Sequence, residues 1–151
     1  RVNGNRLLQV PDMVFGFSQL EHLDRITERR REITDRYAEA LAPLFEAGVL
    51  EAPAAPDHCR TNHHMFNFLV ERAETRADLI AHLGARGILA VFHYVPLHLS
   101  PMGRNLGYRA GDLPVTEDVA ARLLRLPLYF DLTDDEVDEV AGAILEFHGH
   151  A

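Results

Sequence analysis

Between Asp12 and Phe45 the apolar residues Leu20, Leu23, Ile26, Ile33, Tyr37, Leu41 and Leu44 recur at spacings of three, four or seven, which is the period of an amphipathic helix. A helix of that length carries one apolar stripe, and the rest of the chain has to supply a surface for it. Its other face is charged: Glu21 to Arg25 and Glu32 to Arg36 form i,i+4 pairs, each worth roughly 0.2–0.5 kcal/mol. The run TERRRE accordingly reads as a solvated helix face. The stripe is longer than a small sheet can cover, which implies a further surface for part of it.

The remainder of the chain supplies that sheet. Gly48 and the stretch APAAP (52–56) end the helix, and HMFNFLV (64–70) follows with His64, Phe66, Phe68 and Val70 on one side and Met65, Asn67 and Leu69 on the other, the period of a strand covered on both faces. Thr75 and Asp78 are spaced as a capping box for a short helix through Leu79, Ile80 and Leu83, with Gly87 as its stop. A strand is expected at Ile88–Tyr94. Pro96 and Pro101 then break the pattern, and an aperiodic loop runs to about Pro114; loops of that length inside a compact domain are more often functional than filler. A helix near Glu117–Leu124 and an extended piece at Leu126–Tyr129 come next. Thr133 and Glu136 form a second capping box, opening a terminal helix that buries Val137, Val140, Ile144 and Phe147. The order predicts an α+β domain, a small sheet with helices packed on it.

At 151 residues and 47% hydrophobic, the chain can build one real core but not two. A formal charge of −8 without a basic block argues against nucleic acid and against an anionic membrane surface as partners. Cys59 is the only cysteine, so no disulfide can form within the chain, and a reducing, cytoplasmic setting is expected. RVNGNRLLQV lacks the apolar core of a secretory signal, and no apolar run approaches the roughly 20 residues of a membrane helix. All fifteen strongly basic residues are arginine. Chemistry that needs a lysine amine, such as a Schiff base with an aldehyde cofactor, therefore cannot be completed by this chain alone.

The stretch AVFHYVPLHLSPMG (90–103) concentrates the polar side chains. Alternation would put His93 on one face with Leu89 and Val91, and Tyr94 on the other with Phe92, so that the pair ends a strand pointing in opposite directions, with His98 beyond Pro96. One reading treats all three as residues of a wet sheet edge, bonded to nearby backbone. A metal reading uses His93 and His98 with His63 and His64, but the spacing matches no zinc motif. Cys59 has no activating partner beside it in sequence. No glycine-rich phosphate loop and no GxSxG occur.

The pieces FSQLEHLDRITERRREITDRYAEAL, TNHHMFNFLVE, RADLIAHLGARGILAVFHYVPLHLSPMGRNLGY and GDLPVTEDVAARLLRLPLYFDLTDDEVDEV, taken in order, resemble the C-terminal small domain of the DegT/DnrJ/EryC1/StrS sugar aminotransferases, fold-type I pyridoxal-phosphate (PLP) enzymes. HHMF, AVFHYVPLH and LLRLPLYFDL are most similar to the branch acting on dTDP-4-dehydro-6-deoxyglucose. The resemblance implies a small antiparallel sheet with packed helices over residues 15–151, a connecting segment at 1–14, and a large domain, absent from this sequence, that bears the PLP-binding lysine and the aspartate on the pyridine nitrogen. It implies amino transfer, usually from glutamate, to the C4 keto group of the nucleotide-linked sugar by a homodimer. It maps the sugar end of the site onto His93 and Tyr94, with His98 as the motif's second histidine and Met102, on the Ser100–Arg104 loop, as a further contact. The isolated chain is then expected to be inactive. A noncatalytic module binding a sugar nucleotide or a protein is the alternative. The first fifteen residues depart from the pattern, lacking the small-residue turn of relatives; Asn3-Gly4-Asn5-Arg6 resembles a GTNR segment found upstream in them.

Overall fold

The computed structural model describes residues 16–17, 19–53, 56 and 58–149; the segment 1–14 and the start of the first predicted helix lie outside these. Helix α1 (Leu23–Ala40) is followed at once by α2 (Ala42–Glu46). The break falls at Leu41, two residues before Pro43, whose ring nitrogen has no proton to donate to the helical ladder. Ile33, Tyr37, Leu41 and Leu44 are fully buried, whereas Leu20 and Leu23 are exposed, so only the second half of the predicted stripe meets the core.

Three short strands form an antiparallel sheet in the order β1 (Leu50–Glu51), β2 (Phe66–Val70), β3 (Leu123–Leu126). Leu50 pairs with Val70, and Phe66, Asn67, Phe68 and Leu69 pair with Leu126, Arg125, Leu124 and Leu123. Phe66, Phe68 and Val70 on β2, with Leu124 and Leu126 on β3, face the core beneath α1, α3 (Ala73–Gly84) and α6 (Asp134–Phe147). The opposite face, with Asn67, Leu69 and Arg125, is half-buried, which matches the alternation expected for β2. Tyr37 donates its hydroxyl to the Pro127 carbonyl at 3.1 Å, and burial pushes its phenol pKa up.

The charged face of α1 is used differently from the sequence reading. Arg36 reaches Asp138 at 2.6 Å rather than Glu32, Arg29 bridges to Asp134 at 2.9 Å and to the Leu132 carbonyl, and Arg25 lies over the Phe130 ring at 5.0 Å. The acidic first turn of α6 is in reach of Arg29 and Arg36 and competes with the helix's own carboxylates for them. TERRRE is thus partly an inter-helix tie.

Two more local expectations need correction. Helix α3 starts at Ala73 with Arg72 as its N-cap and no side-chain cap bond, so Thr75 and Asp78 lie inside it. Its end is as expected: Gly87 takes a positive φ of 76°, and the Ile88 and Gly87 amides return to the carbonyls of Leu83 and Gly84 at 3.0 Å each, an arrangement that favours glycine. The second box is present, with the Glu136 carboxylate accepting from the Thr133 amide at 2.8 Å and the Glu136 amide donating to the Thr133 hydroxyl.

The strand expected at Ile88–Tyr94 does not form. The Ala90 amide turns back to the Ile88 carbonyl, and only Val91 bridges to Arg125, with N···O distances of 3.1 and 2.8 Å. The next bonded rung would fall at Pro127, which has no amide proton, so the ladder cannot lengthen in that direction. Among the described residues no helix is long and apolar enough to cross a membrane.

Candidate functional site

The loop expected from Pro96 to Pro114 is partly helical. A 3-10 turn (Leu97–Leu99) leads into α4 (Pro101–Asn105), and α5 (Pro114–Arg122) follows. Ser100 caps α4, its hydroxyl accepting from the Gly103 amide at 3.1 Å, with Pro101 in the first turn. Ser-Pro ahead of a helix is a legible start signal, and the sequence reading missed it. Gly103 passes so near the Leu97 and His98 carbonyls that a Cβ would overlap both.

Beyond the Val91 bridge the chain presents Phe92, His93, Tyr94 and Val95. Tyr94 is 70% exposed and Phe92 50%. The rings of His93 and Tyr94 lie edge to face at 4.5 Å, so the pair forms one aromatic wall instead of pointing to opposite sides. The strand on which opposed directions depended is not there. His93 Nδ1 is buried and has no partner among the described residues, which leaves the imidazole with unspent hydrogen-bonding capacity.

His98 is placed differently. It is 5% exposed, and its Nε2 lies 2.9 Å from Glu117 Oε1. The same carboxylate oxygen accepts from the Gly111 amide at 2.8 Å. Glu117 was not among the sequence candidates; its role is set by a pairing across nineteen residues that no local pattern reveals. Met102 is 66% exposed. Two adjoining clefts result. One of about 450 Å³ is lined by Arg76, Phe92, Tyr94, Val95, Leu99 and Glu117; the other, of about 410 Å³, by Leu97, His98, Met102, Leu106, Tyr108 and Leu113. The structure thus joins His93 to Tyr94 and His98 to Met102, with the His98–Glu117 pair between the two clefts.

The bond from His98, followed by the Gly111 amide, holds the Glu117 carboxyl below the usual carboxylate range. A carboxyl with a lowered folded pKa stabilises the fold above its unfolded value, near 4.3 for glutamate, and that contribution is lost as pH falls through the lower folded value. Glu117→Gln is therefore expected to be less stable than the parent at neutral pH and to converge with it in acid. Thermal melts across pH, with amide exchange at Gly111, measure this; parallel pH profiles for the two proteins would refute it.

The remaining candidates lie elsewhere. His63, with a φ of 50°, lines a larger and mostly apolar groove of about 530 Å³ between α1–α2 and β2, with Ala38, Phe45, Met65 and Phe66. His64 Nδ1 lies 2.6 Å from the Asn62 side-chain oxygen. Among the described residues no group of three or more His, Cys, Asp or Glu side chains is placed to hold a metal ion. Cys59 is exposed.

A three-stranded antiparallel sheet backed by helices, with an exposed aromatic and imidazole wall at one edge, defines an α+β module. The chain belongs to the DegT/DnrJ/EryC1/StrS aminotransferase family, whose model matches residues 12–145. It is 37% identical over 127 residues to a dTDP-4-dehydro-2,3,6-trideoxy-D-glucose 4-aminotransferase of Saccharopolyspora spinosa, covering 83% of this chain and 31% of the relative. It is 34% identical over 130 residues to a dTDP-3-amino-3,4,6-trideoxy-alpha-D-glucose transaminase of Micromonospora megalomicea, covering 85% and 34%. The crystal structure of DesV from Streptomyces venezuelae superposes with a TM-score of 0.77 at 33% identity, over 85% of this chain and 33% of that one. The chain thus spans about a third of the length of the relatives it matches.

Proposed function

We propose that these residues are the C-terminal small domain of a PLP-dependent nucleotide-sugar aminotransferase, working as a homodimer in the cytoplasm and moving an amino group from glutamate to the C4 keto carbon of dTDP-4-dehydro-6-deoxyglucose. The observation that carries this reading is the His93–Tyr94 wall, exposed beside a cleft in a chain of this family. The chain's own donor set does not fit the cofactor: it contains no lysine, so its anchor and the proton-moving amine belong to a large domain. The part left to these residues is recognition. The Tyr94 hydroxyl and the His93 imidazole hydrogen-bond sugar hydroxyls or diphosphate oxygens, Phe92 and Met102 give apolar surface that excludes water, and His98, paired with Glu117, holds the Met102 loop in place.

Relatives aminate at either C3 or C4 by their names; the C4 assignment rests on the wording of HHMF, AVFHYVPLH and LLRLPLYFDL. The test is to supply the complete polypeptide with glutamate and either a 4-keto or a 3-keto dTDP-sugar and to locate the new amine by mass spectrometry and NMR. Amination at C3 would sink the C4 assignment. Tyr94→Ala is expected to raise KM for the sugar nucleotide about tenfold, the loss of one hydrogen bond and its ring contact; an unchanged KM would remove the wall from the site.

A further inference from the structure

Resting on that reading of the His93–Tyr94 wall, we infer that Arg125 and Arg76 are positioning residues for it: two guanidiniums, from β3 and α3, fix the orientation of the Phe92–Tyr94 segment that meets the sugar nucleotide. The segment needs such fixing because it lies outside the ladder after the single Val91 bridge, and because Phe92 and Tyr94 are largely exposed. Arg125 fastens it at three places, at residues 91, 92 and 94. Its backbone pairs with Val91, its Nη2 donates to the Phe92 carbonyl at 3.4 Å, and its Cζ lies 6.0 Å over the Tyr94 ring. Residue alternation along β3 puts Leu124 and Leu126 in the core and so sends the Arg125 side chain to the other face.

Arg76 acts from α3. Its Nη1 donates to the Ala120 carbonyl of α5 at 2.6 Å, which anchors the guanidinium, and its Cζ lies 5.8 Å over the Phe92 ring. The Nε of each arginine is buried without an acceptor among the described residues. Such placements aim both cations at aromatic faces, where a flat, delocalised cation stacks better than an ammonium. The two rings flanking His93 are thus each held by a cation rooted in a regular element. A wall on a single-bridge segment acquires a defined geometry in this way, and a misplaced wall binds the sugar nucleotide poorly.

The experiment compares Arg125→Met, Arg76→Met, Arg125→Lys and Tyr94→Ala in the complete polypeptide, following the two half-reactions separately and titrating dTDP by calorimetry. Both methionine variants are expected to raise KM for the sugar nucleotide and weaken dTDP binding about five- to twentyfold, the range of a desolvated cation–aromatic contact. Amino-donor turnover should stay within about twofold, and Arg125→Lys should recover part of the loss. Equal losses in both half-reactions would make the arginines merely structural and overturn the inference. A Tyr94→Ala defect without an arginine defect would overturn it while leaving the wall itself standing. No sugar-side defect in any variant would remove both.

Discussion

Phe68→Ala is expected to destabilise the domain by about 3–5 kcal/mol and to lower Tm by on the order of 10 °C for a chain of this length. Phe68 is fully buried at the middle of the central strand, and its ring meets Phe45 and Phe66 edge to face at 6.4 and 6.5 Å. Removing it takes away transfer free energy and leaves a cavity between the sheet and the helices, which close packing cannot collapse cheaply. It also cancels two aromatic contacts, each worth about 0.5–1.5 kcal/mol beyond area. Leu97→Ala is the control, since Leu97 is 85% exposed and exposed changes usually stay within about 0.5 kcal/mol. Equilibrium denaturation of both variants decides the matter; a Phe68→Ala cost no larger than that of Leu97→Ala would mean that the sheet is not the centre of the core.

The second large effect is a complete loss. The 151 residues expressed alone, incubated with PLP and reduced with borohydride, are expected to carry no pyridoxyl group on any side chain and to show no amino transfer from glutamate. Only a primary amine condenses stably with the aldehyde, and the chain has no lysine; guanidinium groups remain protonated and do not substitute. Peptide mapping by mass spectrometry reads the outcome. A labelled side chain, or turnover by these residues alone, would contradict both the missing-amine argument and the division of labour proposed above.

Regular elements with a burial period were readable from the sequence because the period is itself the physical cause. Ile33, Tyr37 and Leu44 on the first two helices with Leu41 at their junction, Phe66, Phe68 and Val70 on β2, and Val137, Val140 and Ile144 on α6 are buried where their spacing placed them. Residues 88–94 show how far that logic reaches. They alternate like a strand, yet pairing needs a partner of matching length, and Pro127, which would oppose Leu89 in the Val91–Arg125 register, lies 38 residues further along the chain, outside what local inspection weighs. The same holds for the site. His93 and Tyr94 are proposed through resemblance, and the structure sets their rings side by side. Glu117, Arg76 and Arg125 sit in ordinary amphipathic or alternating patterns, and only tertiary placement gives them partners. His98 is buried because Glu117 is there to receive it, which its position after a proline does not announce.

The Val91–Arg125 bridge has a consequence for how this surface tolerates change. Side chains at 92–95 belong to no ladder register, so replacing one leaves the pairing of β2 with β3 untouched. The core and the wall consequently answer to separate constraints. Substitutions at the exposed positions Phe92, Tyr94 and Val95 cost little in folding free energy, while those in the sheet cost more. A chain assembled this way can change this surface without first having to rebuild its core.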